Sequence, residues 1–227
     1  VRFRASTDVT FGIRSVPGLV ALTIVTVPFG LLLFLVRVRW TPLMSVDDGV
    51  RDGLYRYTVE HPAFAMTMKA MSTVGSAPVY LTVFALVAVW LLYRRHPRPA
   101  AFAVVTVAGS AVLNAVVKRA VQRARPVVAD PLTTATGLSF PSGHAQSAVV
   151  TYTTLLLLFW SAMRSVWRRV AVTVATVMVL GIGLSRVALS VHYVSDVLAG
   201  YVLGLAWVVA MFAVFGSWRR ELRPRVR

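Results

Sequence analysis

The sequence predicts an all-α fold: a polytopic membrane protein built as a six-transmembrane-helix bundle, with one or two interfacial helices between spans 1 and 2. Three observations predict it. Of 227 residues, 57% are hydrophobic and only 14% are charged, whereas a soluble domain carries about 25% charged residues. The apolar residues fall into runs close to the ~20 residues that a helix needs to cross a bilayer. The 24 Lys and Arg residues lie between these runs rather than along one face, and with 8 acidic residues they leave a net charge of +16. That distribution suits anionic lipid headgroups and argues against nucleic acid.

The first span, Val16–Val36, is too long for a signal-peptide core and has no small-residue cleavage site after it, so it reads as a retained helix. The chain opens on Val rather than Met, so residues upstream, few or many, are expected to have been removed. The stretch from Trp40 to Ser76 is too long for a tight connection. It mixes Asp47, Asp48, Asp52 and Glu60 with Leu54, Tyr55, Tyr57 and Val59, the pattern of helices lying in a membrane interface. The second span is Ala77–Tyr93. The third, Ala100–Val117, carries polar Ser110 and Asn114. The fourth, fifth and sixth are Ala145–Met163, Val170–Leu189 and Val197–Phe215. With no repeat, low-complexity segment or separable soluble region, residues 1–227 are expected to form a single domain.

Basic residues near span ends set orientation. One side would hold Arg2, Arg4, Arg14, Arg94, Arg95, Arg98, Arg164, Arg168, Arg169, Arg219, Arg220, Arg223, Arg225 and Arg227. These are 14 of the 24, which makes that side cytoplasmic and places both termini there. The opposite, extracytoplasmic face then receives every polar motif of the chain.

Those motifs are Lys118-x6-Arg125-Pro126, Pro141-Ser142-Gly143-His144 and Ser185-Arg186-x5-His192-x3-Asp196. A phosphoryl group needs positive charge around its oxygens, an in-line nucleophile and a proton for the leaving oxygen. If the third span continues as helix, Lys118 and Arg125 lie nearly two turns apart on one face, about 10 Å along the axis, with Pro126 ending the helix and Arg119 and Arg123 adding charge. Ser142 can cap the fourth span and can donate to a phosphate oxygen, two compatible roles, and the exposed amides of that helix start, Gly143 included, form an anion site. His144 is placed to reach a leaving-group oxygen. His192 and Asp196 are one helical turn apart, so the carboxylate can hold one imidazole nitrogen and leave the other free to attack. Each motif alone is ordinary at a membrane edge. Three in order at three span ends make a site.

The motifs resemble the signature of the type-2 phosphatidic-acid phosphatase superfamily, the lipid phosphate phosphatases, and match it at every position. The resemblance implies that His192 is the nucleophile, forming a phosphohistidine, and that Asp196 orients it. It further implies that His144 protonates the departing oxygen and later activates water, and that Lys118, Arg125 and Arg186 hold the phosphate with Ser142 and the Gly143 amide. Expected substrates are phosphatidic acid, phosphatidylglycerol phosphate or polyprenyl pyrophosphate, and an outward-facing site favours the last two. No cofactor is expected. Without Cys or a carboxylate cluster near the motifs, no metal site is expected either. His61 and His96 read as solvated surface residues. Two other readings compete: a vanadate-dependent haloperoxidase, whose soluble fold the six spans oppose, and a non-enzymatic anion transporter, which would not need the two motif histidines.

Overall fold

The computed structural model describes residues 16–215. Eight α-helices account for most of them. The first, α1 (Val16–Arg37), is followed by α2 (Thr41–Glu60), α3 (Pro62–Val74), α4 (Ala77–Tyr93) and α5 (Pro97–Val121). After a long connection come α6 (Gly143–Phe159), with a 3-10 extension at Trp160–Ala162, then α7 (Ser165–Ala188) and α8 (Val194–Val214). The helices α5, α6 with its extension, α7 and α8 are each long and apolar enough to cross a membrane. Two bent pairs bring the candidates to six when each pair is counted as one span. The 26–37 portion of α1 meets α2 at 91°, and α3 meets α4 at 43°. The fold is therefore an all-α membrane bundle with four to six candidate spans, and α2 and α3 lie between α1 and α4.

The 91° turn lays α2 across the bundle. Its buried residues are Asp47 and Thr58, so it hides polar groups while Val46, Val50, Tyr57 and Val59 stay exposed. Many large apolar side chains of the spans are exposed, among them Leu31, Phe34, Leu86, Val89, Val112, Val177 and Leu180. That is the expected outer surface of a bundle whose solvent is lipid. Inside, Phe84, Leu91, Phe102, Val150, Leu158 and Val208 join α4, α5, α6 and α8. Val36, Phe140 and Ala199 tie α1, the 122–142 connection and α8 together.

Because lipid is as apolar as Leu, membrane helices associate through close packing rather than through the hydrophobic effect. The contact between α6 and α8 shows this. A Cβ built on Gly200 would lie 2.6 Å from the Ser142 carbonyl oxygen, and one on Gly204 would lie 2.9 Å from that of Gln146. Only glycine lets the start of α6 sit so close to α8. The polar residues of the third span are paired across this interior. Asn114 donates to Gln146 Oε1 at 2.7 Å, and Gln146 donates to the Ser110 hydroxyl at 2.8 Å and its carbonyl at 2.9 Å.

Three expectations need correction. The third span does not run through Arg125: α5 ends at Val121, and Gln122 takes a left-handed conformation (φ 53°) that turns the chain away. Pro126 therefore ends nothing, and Lys118 and Arg125 do not share a helix face. His192 is not on a helix with Asp196 either, because it lies in the turn before α8. Finally, Arg123 does not add to the phosphate-binding charge, because it is bonded to two carboxylates, Asp47 and Asp196. The N- and C-terminal arginines used to orient the chain lie outside the described residues.

Candidate active site

At one end of the bundle a cavity of about 650 Å³ opens among α3, α5, α6, α7 and the connections that join them. Lys118, Arg125, Gly143, His144, Arg186 and His192 line it, together with Ser72, Thr73, Ser76, Thr133, Thr134 and Thr136. The three motifs thus converge from different parts of the fold. Asp196 is fully buried behind His192. Ser142 is also fully buried; its hydroxyl accepts from the Ala145 amide at 3.5 Å as the N-cap of α6, so capping is the role its geometry displays.

Each cation is held by protein oxygens brought to the cavity by the fold. Lys118, near the last turn of α5, donates to the Leu138 carbonyl. Arg125 is fixed from its loop by donating to the carbonyls of Gly137 (3.1 Å) and Val191 (2.8 Å). Arg186, in the last turn of α7, donates to the Ser72 hydroxyl. Its Nε is buried with no hydrogen-bond partner among the described residues. A buried guanidinium donor without a partner is costly, and an anion in the cavity would satisfy it.

The end of α7 presents His192. Ser190 adopts φ 53°, and the amides of Val191 (3.1 Å) and His192 (3.2 Å) both donate back to the Arg186 carbonyl. This tight reversal, a helix ending usually made with glycine, aims the imidazole into the bundle. Nε2 lies 3.0 Å from Arg125 Nη1, on the cavity side. Nδ1 lies 3.4 Å from Asp196 Oδ2 and 3.3 Å from Ser139 Oγ. Ser139 in turn donates to Asp196 Oδ2 at 2.5 Å, and the Tyr193 amide donates to the same oxygen at 3.0 Å. Burial pushes the His192 imidazole down to about 4, even against the pull of Asp196. The ring is thereby held neutral. An arginine N–H can donate only into an unprotonated Nε2, which leaves the proton on Nδ1.

Ser139, Asp47, Arg123 and Ser195 form the layer beneath this dyad, and sequence reasoning missed its organisation. Ser139 belongs to no recognisable pattern, and Asp47 is 148 residues from the Ser195 it contacts. The histidines outside the motifs stay apart: His61 is exposed and stacked on Tyr57 at 4.0 Å, and His96 precedes α5 at the other end of the bundle. Among the described residues no group of three or more His, Cys, Asp or Glu is placed to hold a metal ion.

A membrane bundle with a deep, cation-lined pocket around two histidines defines an integral-membrane phosphatase. Residues 99–220 match the PAP2 superfamily. The chain is 26% identical over 184 residues to phosphatidylglycerophosphatase B of Bacillus subtilis (strain 168), covering 78% of this chain and 89% of that protein. It is 33% identical over 173 residues to the decaprenylphosphoryl-5-phosphoribose phosphatase of Mycobacterium tuberculosis, covering 74% and 89%. The fold is also that of the crystal structure of a transmembrane PAP2-type phosphatidylglycerolphosphate phosphatase from Bacillus subtilis. The TM-score is 0.74 at 23% identity, covering 91% of this chain and 99% of that one. The chain belongs to the PAP2 superfamily, among its membrane-embedded lipid phosphatases.

Proposed function

We propose that this enzyme hydrolyses a phosphomonoester or pyrophosphate of a membrane lipid through a phosphohistidine on His192, at the extracytoplasmic face. One observation carries the mechanism: His192 turns Nε2 to the cationic cavity and Nδ1 to the Asp196–Ser139 pair. In the first step Arg125 exchanges its bond to Nε2 for a phosphate oxygen, and Lys118, Arg186 and the Gly143 amide take the others. The Nε2 lone pair attacks phosphorus in line with the lipid oxygen. As the P–O bond breaks, His144 gives its proton to the leaving oxygen, and the imidazole becomes a cation still carrying the Nδ1 proton. Asp196 stabilises that cation. In the second step neutral His144 takes a proton from water, the hydroxyl attacks phosphorus, the P–N bond breaks and inorganic phosphate leaves. His192 returns neutral.

The lipid classes this reading admits are phosphatidylglycerol phosphate, polyprenyl pyrophosphate and phosphatidic acid. The cavity exceeds a lone phosphate, and its hydroxyl rim suits a phosphate borne on a polar headgroup or a second phosphate. The relatives' names support such lipids. Lys118, Arg125 and Arg186 meet the phosphate charge, so activity is expected to withstand EDTA, and vanadate is expected to compete with substrate because its adduct resembles the phosphoryl transition state.

The test is acid-stable versus acid-labile trapping. Rapid quenching of purified enzyme with a phosphate-labelled lipid should yield an acid-labile, alkali-stable phosphoprotein that maps to His192. His192→Ala should fold, insert and form none. Turnover by a folded His192→Ala protein would overturn the mechanism, and a side-by-side assay of the three lipids identifies the substrate.

A further inference from the structure

The interfacial helix α2 sends one carboxylate into the protein. Asp47 is 1% exposed, although its neighbours Val46 and Asp48 face outward. It accepts from the Ser195 amide at 2.8 Å, from the Ser195 hydroxyl at 2.5 Å and from Arg123 Nη2 at 2.8 Å. The other end of the same guanidinium, Nη1, donates to Asp196 Oδ1 at 2.7 Å. Arg123 thus spans two buried carboxylates, one on α2 and one on α8, with its plane over the Tyr193 ring at 4.1 Å. Asp196 has one oxygen committed to Arg123 and the other to Ser139, the Tyr193 amide and His192. The series runs Asp47, Arg123, Asp196, His192, with alternating charge, from the membrane interface to the proposed nucleophile.

Nothing in the phosphate chemistry uses Asp47 or Arg123, and an ion pair buried this fully is weak evidence for stability. Its placement is informative. An isolated Asp196 would rotate freely about its side-chain torsions; Arg123 pins Oδ1 and so fixes where Oδ2 meets the imidazole. Arg123 also withdraws charge from Asp196, and Asp47 returns part of it. Burial works against the charge on Arg123, but Asp196 and Asp47 outweigh it and raise its affinity for its proton, so the guanidinium stays cationic at any working pH.

We infer that Asp47 and Arg123 are positioning residues for the reaction, acting through Asp196 to set the orientation and basicity of His192. This inference rests on the attack by His192 proposed above. The groups that face His192 are Asp196 from α8, Arg125 and Ser139 from the 122–142 connection, Arg186 from α7 and His144 from α6. None of these is substituted in the variants below, so any shift reports the relay.

The experiment measures kcat and KM against pH for the purified full chain in detergent, with short-chain phosphatidic acid as probe. The variants are Arg123→Gln, Asp47→Asn and the double variant, each checked for folding by thermal unfolding. The attacking imidazole must be neutral, so activity falls as pH drops through its pKa. Arg123→Gln removes a cation from Asp196 and favours the protonated ring, so the acid limb should move up by about one pH unit. Its kcat should fall about tenfold, the loss of one charge-assisted hydrogen bond, with KM within about twofold. Asp47→Asn removes an anion, so the limb should move down. The double variant should return toward the wild-type limb while kcat stays low. A variant that does not fold is replaced by Arg123→Lys, which keeps the charge but cannot span both carboxylates; its limb should stay in place while kcat falls. The inference is overturned if folded single variants leave the limb unmoved or shift it the same way, or if only KM changes. A wild-type enzyme that forms no phosphohistidine overturns the mechanism itself. A labelled His192 with an unmoved limb overturns this inference alone.

Discussion

At the scale of single residues, the site separates into groups that touch the cavity and groups that hold them. Ser139 belongs to the second kind. It is fully buried, donates to Asp196 at 2.5 Å and sits 3.3 Å from the His192 Nδ1, so it shares the ring proton with the carboxylate. Ser139→Ala should lower kcat by about tenfold, near the 1.5 kcal/mol of a hydrogen bond to a charged group, with KM little changed. Steady-state kinetics on folded protein would show it, and an unaltered kcat would remove Ser139 from the relay. The wild-type pH profile is set by burial. A His192 pushed down to about 4 stays neutral at any higher pH, so kcat/KM for the free enzyme should show no His192 limb between neutrality and about pH 4. A limb at the ordinary histidine value would mean a solvated ring. The residues that touch the cavity were legible because cations and histidines in an apolar chain have few other reasons to exist. Ser139 and Asp47 were not, since a serine or aspartate acquires meaning here only through a partner far away in sequence. Arg123 was visible but misread, because the direction of its side chain depends on the left-handed turn at Gln122.

At the scale of elements, apolar run length located the spans, while their ends escaped. The reason is physical. Four helices finish with left-handed residues that are not glycine: Arg39, Arg95, Gln122 and Ser190. In three of these the following amide reaches back to complete the ending, from Trp40 to Leu35, His96 to Leu91 and Val191 to Arg186. A sequence reading expects Gly or Asn there, so α5 was extended through Arg125 and the turn at Ser190 went unseen. Helix contacts were equally silent, because Gly200 and Gly204 look like any glycines of a membrane span. Their role yields a prediction. Gly200→Leu puts atoms where the Ser142 carbonyl already lies 2.6 Å from a modest Cβ, and backbone on both sides leaves little room to yield. Overpacking of this kind costs about 1–3 kcal/mol or more, and it also displaces the start of α6 that carries Gly143 and His144. Both melting temperature and activity should fall. Gly49→Ala, at a helical position with open space around the added Cβ, should leave activity intact and stabilise by up to about 1 kcal/mol.

At the scale of the whole molecule, charge and chain direction bear on the proposed side of the reaction. The helices α5 and α7 end at the cavity, and α6 and α8 begin there. The short connections after α4 and after the 3-10 turn must therefore lie at the other end of the bundle. They carry Arg94, Arg95 and Arg164, and Arg98, Arg168 and Arg169 follow at the starts of α5 and α7. Exposed Trp90, Tyr93, Trp160 and Trp167 flank them, with Arg94 over the Trp90 ring and Arg168 over the Trp160 ring. Such an aromatic belt with basic residues marks a membrane–water interface, and short basic loops stay in the cytoplasm. That rule supports the proposed opening of the cavity on the extracytoplasmic side. The sequence contains no Cys, so single cysteines report position without background. Thr134, exposed on the cavity rim, and Arg95, exposed in the α4–α5 connection, are the two sites to compare. On intact cells a membrane-impermeant thiol reagent should label Thr134→Cys and spare Arg95→Cys, and permeabilisation should make both reactive. The opposite pattern would put the phosphate chemistry in the cytoplasm, where only lipids of the inner leaflet could reach His192.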